Sequence, residues 1–190
     1  MPAKDTHIKS ALFNSFDPLA PQKIDGYFSD TLFADPIEIS APLELVWSVI
    51  MDFSAYPAWN PLIRFIQLDT VAKTGEHVTF GVSWGPYFKD GQLVPMDELK
   101  THLTQHERLT VWEPNRCLAY ADDLGLWHHA ERVQYISKLE NGKTRYHTYE
   151  RWAGLITPLI RLAFAKKVQA GLNVSSTALK VRAEALASTK

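Results

Sequence analysis

The most regular alternation in the chain runs from His77 to Trp84. Val78, Phe80, Val82 and Trp84 occupy one parity, and His77, Thr79, Gly81 and Ser83 the other. A two-residue period of this kind predicts a half-buried strand. Ile37 and Ile39 alternate with Glu38 and Ser40 in a shorter first strand. Pro42 then opens a helix whose Leu43, Val46, Trp47 and Ile50 form one buried face, and Pro57 and Pro61 bracket a second short helical segment. Leu99 and Leu103 begin a strand that Leu109 and Val111 continue past a bulge, with Trp112 on the wrong parity to be placed. Pro114-Asn115 turns the chain into a strand marked by Leu118 and Tyr120, and Trp127 to Leu139 forms another. Glu140-Asn141-Gly142 is a hairpin turn, because Asn-Gly accepts the positive φ angles such turns need. The returning strand puts Tyr146, Thr148, Glu150 and Trp152 on one face and Arg145, His147, Tyr149 and Arg151 on the other. The last thirty-odd residues read as one long helix with Thr157 as N-cap and Pro158 in its first turn. Ile160, Phe164, Val168, Leu172, Leu179 and Leu186 form its apolar stripe. Gly171, inside it, signals a close approach or a kink. The predicted fold is α+β: a curved antiparallel sheet of about seven strands wrapped on the long helix, with two short helices after the first strand. A helix laid across a curved sheet leaves a cavity between them.

Composition narrows the function. The 190 residues carry a net charge of −1 with a pI near 6.7, which argues against a bulk electrostatic grip on nucleic acid. One cysteine, Cys117, allows neither an internal disulfide nor a thiolate cluster. No stretch is apolar for long enough to span a bilayer, and no signal-peptide pattern is visible, so a soluble cytoplasmic protein is expected. Residues 1–30, with three prolines and no sustained period, read as an N-terminal extension to a domain at 31–190. Charge is uneven. Residues 1–60 hold three lysines and eight acidic residues, whereas residues 153–190 hold six basic residues and one acidic. That basic helix is either a solvated face or a docking surface for an acidic partner or anionic lipid.

Several motifs now combine. Asp35 to Ile63 contains Ile37-x-Ile39-x-Ala41-Pro42, Val46-Trp47, Asp52-Phe53 before Tyr56-Pro57, and Trp59-Asn60-Pro61. Farther on come Val111-Trp112-Glu113-Pro114 with Leu118 and Tyr120. Gly142-x-Thr144 is followed by Glu150, Trp152 and Gly154, and the chain closes on Ala178-Leu179-Lys180 and Glu184. In this order, over residues 35–187, they resemble the START-like (SRPBCC) superfamily and its helix-grip fold, nearest to small polyketide-cyclase-like members. The resemblance implies a small hydrophobic or amphipathic ligand held between sheet and helix, by a carrier or sensor. It also leaves open an enzyme similar to polyketide cyclases or dehydratases, and a protein-partner module of co-chaperone or toxin-like type. No cofactor and no metal are expected, since an oxygenase-type relative would need an iron–sulfur cluster that one cysteine cannot build, and fold alone licenses no reaction.

The candidate ligand-binding residues follow from parity. Tyr146, Thr148, Glu150 and Trp152 face the cavity, while Arg145, His147 and Arg151 face water. Pairing across the Asn-Gly hairpin puts opposite one another residues whose numbers sum to about 282 or 283, so Arg132 lies near Glu150 and Gln134 near Thr148. These polar groups either orient a ligand oxygen at one end of an apolar pocket or form a structural Arg–Glu pair. Trp59, Phe80, Trp84, Tyr120 and, from the helix, Phe164 complete the proposed lining, as pocket wall or as plain core. His128 and His129 point to opposite faces and cannot share a metal; His128, on the inward parity, is a possible general base. Cys117 falls on the outward parity and reads as inert. The sequence assigns no catalytic residue.

Overall fold

The structure is a computed structural model that describes residues 28–189, the side chain of Asp123 excepted. In chain order the elements are β1 (Ser29–Phe33), β2 (Ile37–Ile39), α1 (Leu43–Met51), α2 (Tyr56–Trp59), β3 (Ile63–Leu68), β4 (His77–Val82), β5 (Phe88–Lys89), β6 (Gln92–Leu93), β7 (Leu103–Glu113), β8 (Cys117–Asp123), β9 (His129–Lys138), β10 (Thr144–Ala153) and α3 (Thr157–Ser188). Eight strands form one antiparallel sheet in the order β1-β10-β9-β8-β7-β4-β3. β2 pairs with the first half of β10, beside β1 on its second half, and β5 and β6 make a separate hairpin. This is the α+β helix-grip architecture expected from the sequence. Two strands of this sheet were not located from the sequence, β3 and β1. The Ser-Asp-Thr-Leu-Phe sequence of β1 has no alternation to betray it, and backbone pairing with β10 carries it. The N-terminal extension expected at residues 1–30 lies, up to residue 27, outside the described residues.

The long strands pair in the expected register. Arg132 stands opposite Glu150 and Gln134 opposite Thr148. The hairpin turn closes at Gly142, whose φ is +78°. The strand does carry a bulge, but between Leu109 and Val111 rather than before Leu109 as expected. It resolves Trp112: the extra residue returns Trp112 to the helix-facing side, opposite Leu118, where its ring lies 5.5 Å from that of Trp47 on α1. The same slip sends Val111 to the outer face with Cys117, Ala119, Val133 and Tyr149.

α3 buries Val168, Leu172 and Leu179 against the sheet and α1, with Ile160, Phe164 and Leu186 partly covered. Gly171 is a close approach. A β-carbon there would lie 2.5 Å from Leu62 Cδ1 and 2.9 Å from Tyr87 Oη.

Four local expectations need correction. The strand begins at Leu103, not Leu99, because Leu99 packs with Tyr87, Val94 and Val174 under the β5–β6 hairpin. β9 begins at His129, and Trp127 stands exposed in the preceding loop. Thr157 does not cap α3. Ile156 holds the N-cap position, and the Thr157 hydroxyl makes no hydrogen bond among the described residues. Arg151 does not face water. It is 2% exposed on the outer face and ion-paired with Glu131, which also accepts a hydrogen bond from Thr110 Oγ1 at 2.5 Å. A buried guanidinium is tolerated there because a buried carboxylate faces it.

The turn from β10 into α3 depends on Gly154. Its φ is +134°, and a β-carbon would meet the Trp127 carbonyl and come within 2.8 Å of His128 Cα. The obstacle is backbone, so it cannot swing aside. Gly154→Ala is expected to lower the unfolding free energy by about 2–3 kcal/mol in urea titrations. An unchanged midpoint would show that the turn relaxes freely.

Candidate functional site

Cross-strand pairing sets the site. Leu109, Tyr120, Arg132 and Glu150 form one row across β7–β10 on the helix-facing side. Asp122, Ala130 and Trp152 form the next row, and Trp112, Leu118, Gln134 and Thr148 the row on the other side. Between these rows and α3 lies a cavity of about 50 Å³, room for a few water molecules. Leu62, Ile63, Phe80, Val82, Trp84 and Val168 form its apolar wall. Gln105, Glu107, Arg132 and Glu150, beside Tyr120 and Ala130, form its polar end.

Arg132 is the unusual group. It is 6% exposed, and its hydrogen bond from Nη2 to Ser175 Oγ is a long one, 3.5 Å. Its Nε has no partner among the described residues. Although Glu150 stands directly opposite in the register, the two make no ion pair. Glu150 instead accepts from Trp152 Nε1 at 2.7 Å. Burial alone pushes the guanidinium pKa down. The phenol oxygens of Tyr120 and Tyr146 and the Glu150 carboxyl more than offset this, so the net direction is up and Arg132 stays charged. Burial raises the Glu107 pKa well above the ordinary carboxylate range. Asp122 and Glu150 push the same way, and Arg132 opposes them. Burial also raises that of Glu150, against the Trp152 hydrogen bond and Arg132. The cavity therefore pairs a fixed cation with two carboxyl groups biased toward the protonated form.

The expected site residues divide. Phe80, Trp84, Tyr120, Arg132 and Glu150 line the cavity together. Phe80 and Tyr120 meet edge to face at 5.1 Å, and Trp84 meets Phe164 at a tilt with 6.0 Å between ring centres, both of these rings partly exposed. Gln134 and Tyr146 lie deeper, joined by a 2.9 Å hydrogen bond from the phenol. Thr148 donates to the Val133 carbonyl, and Trp152 holds Glu150. These four back the cavity rather than line it. Trp59 lies elsewhere, on a groove outside α3. Glu107 and Gln105 were not singled out from the sequence. The signal was available: they share the parity of Leu103 and Leu109, and an inward carboxylate on an apolar parity stands out. His128 is buried beside Trp152, 6.4 Å between rings, but off the cavity lining, and burial lowers its pKa. Cys117 is fully buried on the outer face, and burial pushes its thiol up, away from nucleophilic use.

The outer groove is larger, about 810 Å³. Trp59 of α2, Tyr87, Phe88 and Leu93 near the β5–β6 hairpin, and Val174 and Val181 of α3 define it. Leu62 of the inner lining and Tyr87 of the groove both approach α3 at Gly171.

An antiparallel sheet gripping a long terminal helix around a polar-ended cavity places the protein among START-like folds. The chain belongs to the polyketide cyclase / dehydrase and lipid transport family, whose sequence profile matches residues 31–184. Solved structures agree on the fold. A START superfamily protein from Mycobacterium smegmatis is 19% identical, with a TM-score of 0.56 over 85% of this chain and 99% of that one. The Zhui aromatase/cyclase from Streptomyces sp. R1128 is 14% identical, with a TM-score of 0.56 over 85% and 94%. A protein from Thermus thermophilus is 15% identical, with a TM-score of 0.57 over 83% and 99%. No curated protein matches. Among the described residues no helix is long and apolar enough to cross a membrane.

The raised carboxyl of Glu107 has a consequence for stability. The folded protein keeps a proton that the unfolded chain, with its ordinary value near 4.5, releases. The folded state then binds more protons than the unfolded one, so stability falls as pH rises above that value. His128 and His147, both shifted down by burial, are common to the parent and Glu107→Gln and cancel in their difference. As pH rises from 4.5 toward the raised folded-state value, the parent is expected to lose up to about 1.4 kcal/mol per pH unit relative to Glu107→Gln, and to lose no more beyond it. Parallel urea-midpoint profiles for the two proteins would contradict a neutral, buried Glu107.

Proposed function

We propose that this protein binds a small amphipathic molecule between the sheet and α3, as a carrier or sensor, with a ligand oxygen on Arg132 and an apolar body against Phe80, Val82 and Trp84. The observation that carries the reading is Arg132 itself, a buried cation at the polar end of an apolar cavity with no carboxylate paired to it among the described residues. Such a group is stabilised when an anionic or carbonyl oxygen arrives. The cavity is smaller than the ~300–1,000 Å³ of ordinary ligand sites, so the ligand is small or parts the walls. Trp84 and Phe164 are the walls best able to part, since their contact is tilted and both rings are partly exposed.

A second reading has its own support. Glu107 and Glu150, biased toward the acid form beside a fixed cation, could donate a proton as a developing enolate settles on Arg132, the chemistry of a cyclase or dehydratase. On that reading Glu150→Gln retains ligand binding and loses turnover of a β-keto thioester.

The test uses 2-naphthoate, a flat apolar body with one carboxylate, titrated calorimetrically. Arg132→Met is expected to weaken binding at least tenfold. Trp84→Ala, at the partly exposed wall, is expected to speed association without loss of fold. A folded Arg132→Met protein that binds as tightly as the parent would end the proposal. So would a parent and a Trp84→Ala protein that both fail to bind any of a panel of aromatic and aliphatic carboxylates.

A further inference from the structure

The end of the molecule nearest the cavity carries an apolar surface that the interior does not use. At the turn into α3, Gly154 donates its N–H to the Phe28 carbonyl at 3.0 Å. Leu155 and Ile156 donate to the carbonyls of Leu126 and Trp127 at 3.1 Å each. This knot of backbone bonds gathers Phe28, Leu126, Trp127 and Leu155 at one place. Leu159 and Leu162, three residues apart, lie on one side of α3 just beyond Leu155, while Phe164 packs on the cavity-lining Trp84 and Val168 lines the cavity. All six large side chains of the surface are at least half exposed. Trp127 reaches 62% and Leu162 88%. Large apolar side chains this exposed, gathered at one place, mark a contact surface.

Charge narrows what it contacts. From residue 154 to 183 the chain carries Arg161, Lys166, Lys167, Lys180 and Arg182 and no acidic residue. Arg161 is taken by Asp30. Lys166, four residues beyond Leu162, and Lys167, whose ammonium lies 5.8 Å from the Phe164 ring centre, are exposed and form no ion pair among the described residues. Asp122, near the loop, is engaged with the Ala130 N–H. A second copy of the chain would bring the same lysines face to face across a two-fold axis, which disfavours self-association. Protruding leucines and a tryptophan bordered by lysines suit an interface of acyl chains and anionic headgroups instead.

We propose that this surface docks on an anionic phospholipid bilayer, with Trp127, Leu159 and Leu162 at the headgroup boundary and Lys166 and Lys167 over the phosphates. Phe164 and Val168 come next along the same helix, and Ala130 lies two residues beyond the His128 that ends the loop. Docking would therefore hold the Trp84–Phe164 side of the cavity close to the membrane. That use rests on the amphiphile-binding reading. The docking itself needs no ligand.

The full chain is sedimented with vesicles of phosphatidylcholine alone and of phosphatidylcholine mixed with phosphatidylglycerol. Binding is expected to the mixed vesicles, with much weaker binding to the neutral ones and loss as salt is added. Lys166→Gln with Lys167→Gln is expected to lower partition to mixed vesicles roughly 30-fold. Leu159→Ser with Leu162→Ser is expected to lower binding to both compositions, with circular dichroism unchanged. The proposal is overturned if the parent sediments with neither vesicle, or if both double variants bind as the parent does. It is equally overturned if ultracentrifugation finds a dimer that the leucine variant dissociates. Vesicle binding by a protein that takes up no carboxylate would sink the amphiphile reading and leave the docking surface standing.

Discussion

Two dipeptides facing each other across one hairpin organise this molecule. β9 carries Glu131-Arg132, and β10 carries Glu150-Arg151. The register sets Arg132 against Glu150 and Glu131 against Arg151. Because side chains alternate, each face of the sheet receives one arginine and one glutamate. A slip of β10 by one residue would exchange its two faces and carry Tyr146 and Trp152 to the wrong side. The bond network of β10, paired with β9 along its length and with β1 and β2 on its other edge, fixes the register.

The two faces then treat the same pair of residue types differently. On the outer face Arg151 and Glu131 close into an ion pair, with Thr110 filling a remaining carboxylate position. On the helix-facing side the pair stays open. Trp152 Nε1 occupies Glu150, and Arg132 is left among Tyr120, Tyr146 and Ser175. Phenols can orient toward a guanidinium but cannot neutralise it. Among the described residues the inner face therefore holds a buried cation without a closed ion pair, whereas the outer face has one. This contrast makes Arg132 a site candidate and Arg151 a structural residue, although the two are chemically identical and similarly buried.

Much of this was legible in the sequence where a period was long. The alternation of Val78, Phe80, Val82 and Trp84, the Asn-Gly turn and the stripe on α3 each named an element and its inward face. The register of β9 on β10 followed from the turn alone. The failures have physical causes. β1 is held by backbone bonds to β10, which leave no side-chain pattern in Ser29–Phe33. Arg151 lies on a parity that reads as solvated, because charged residues usually mark water. Nothing in its own sequence says that Glu131 will be buried opposite. Glu107 was readable by parity but sat between His106 and Arg108, where a charged run disguises one inward member. Trp59 follows the family-like Trp-Asn-Pro motif, but α2 turns its ring outward onto the groove beside α3.

The division of space around α3 bears on what the site can hold. The inner cavity has the polar groups and little volume, and the outer groove has the volume with mostly apolar walls. Leu62 of the inner lining and Tyr87 of the outer lining meet α3 at Gly171, and both approach so nearly because position 171 has no β-carbon. Tyr87 is anchored in turn, since its phenol donates to the Ser83 carbonyl at the end of β4. The polar groups able to orient a ligand and the volume able to hold a larger one thus lie in different spaces, both bordered by α3.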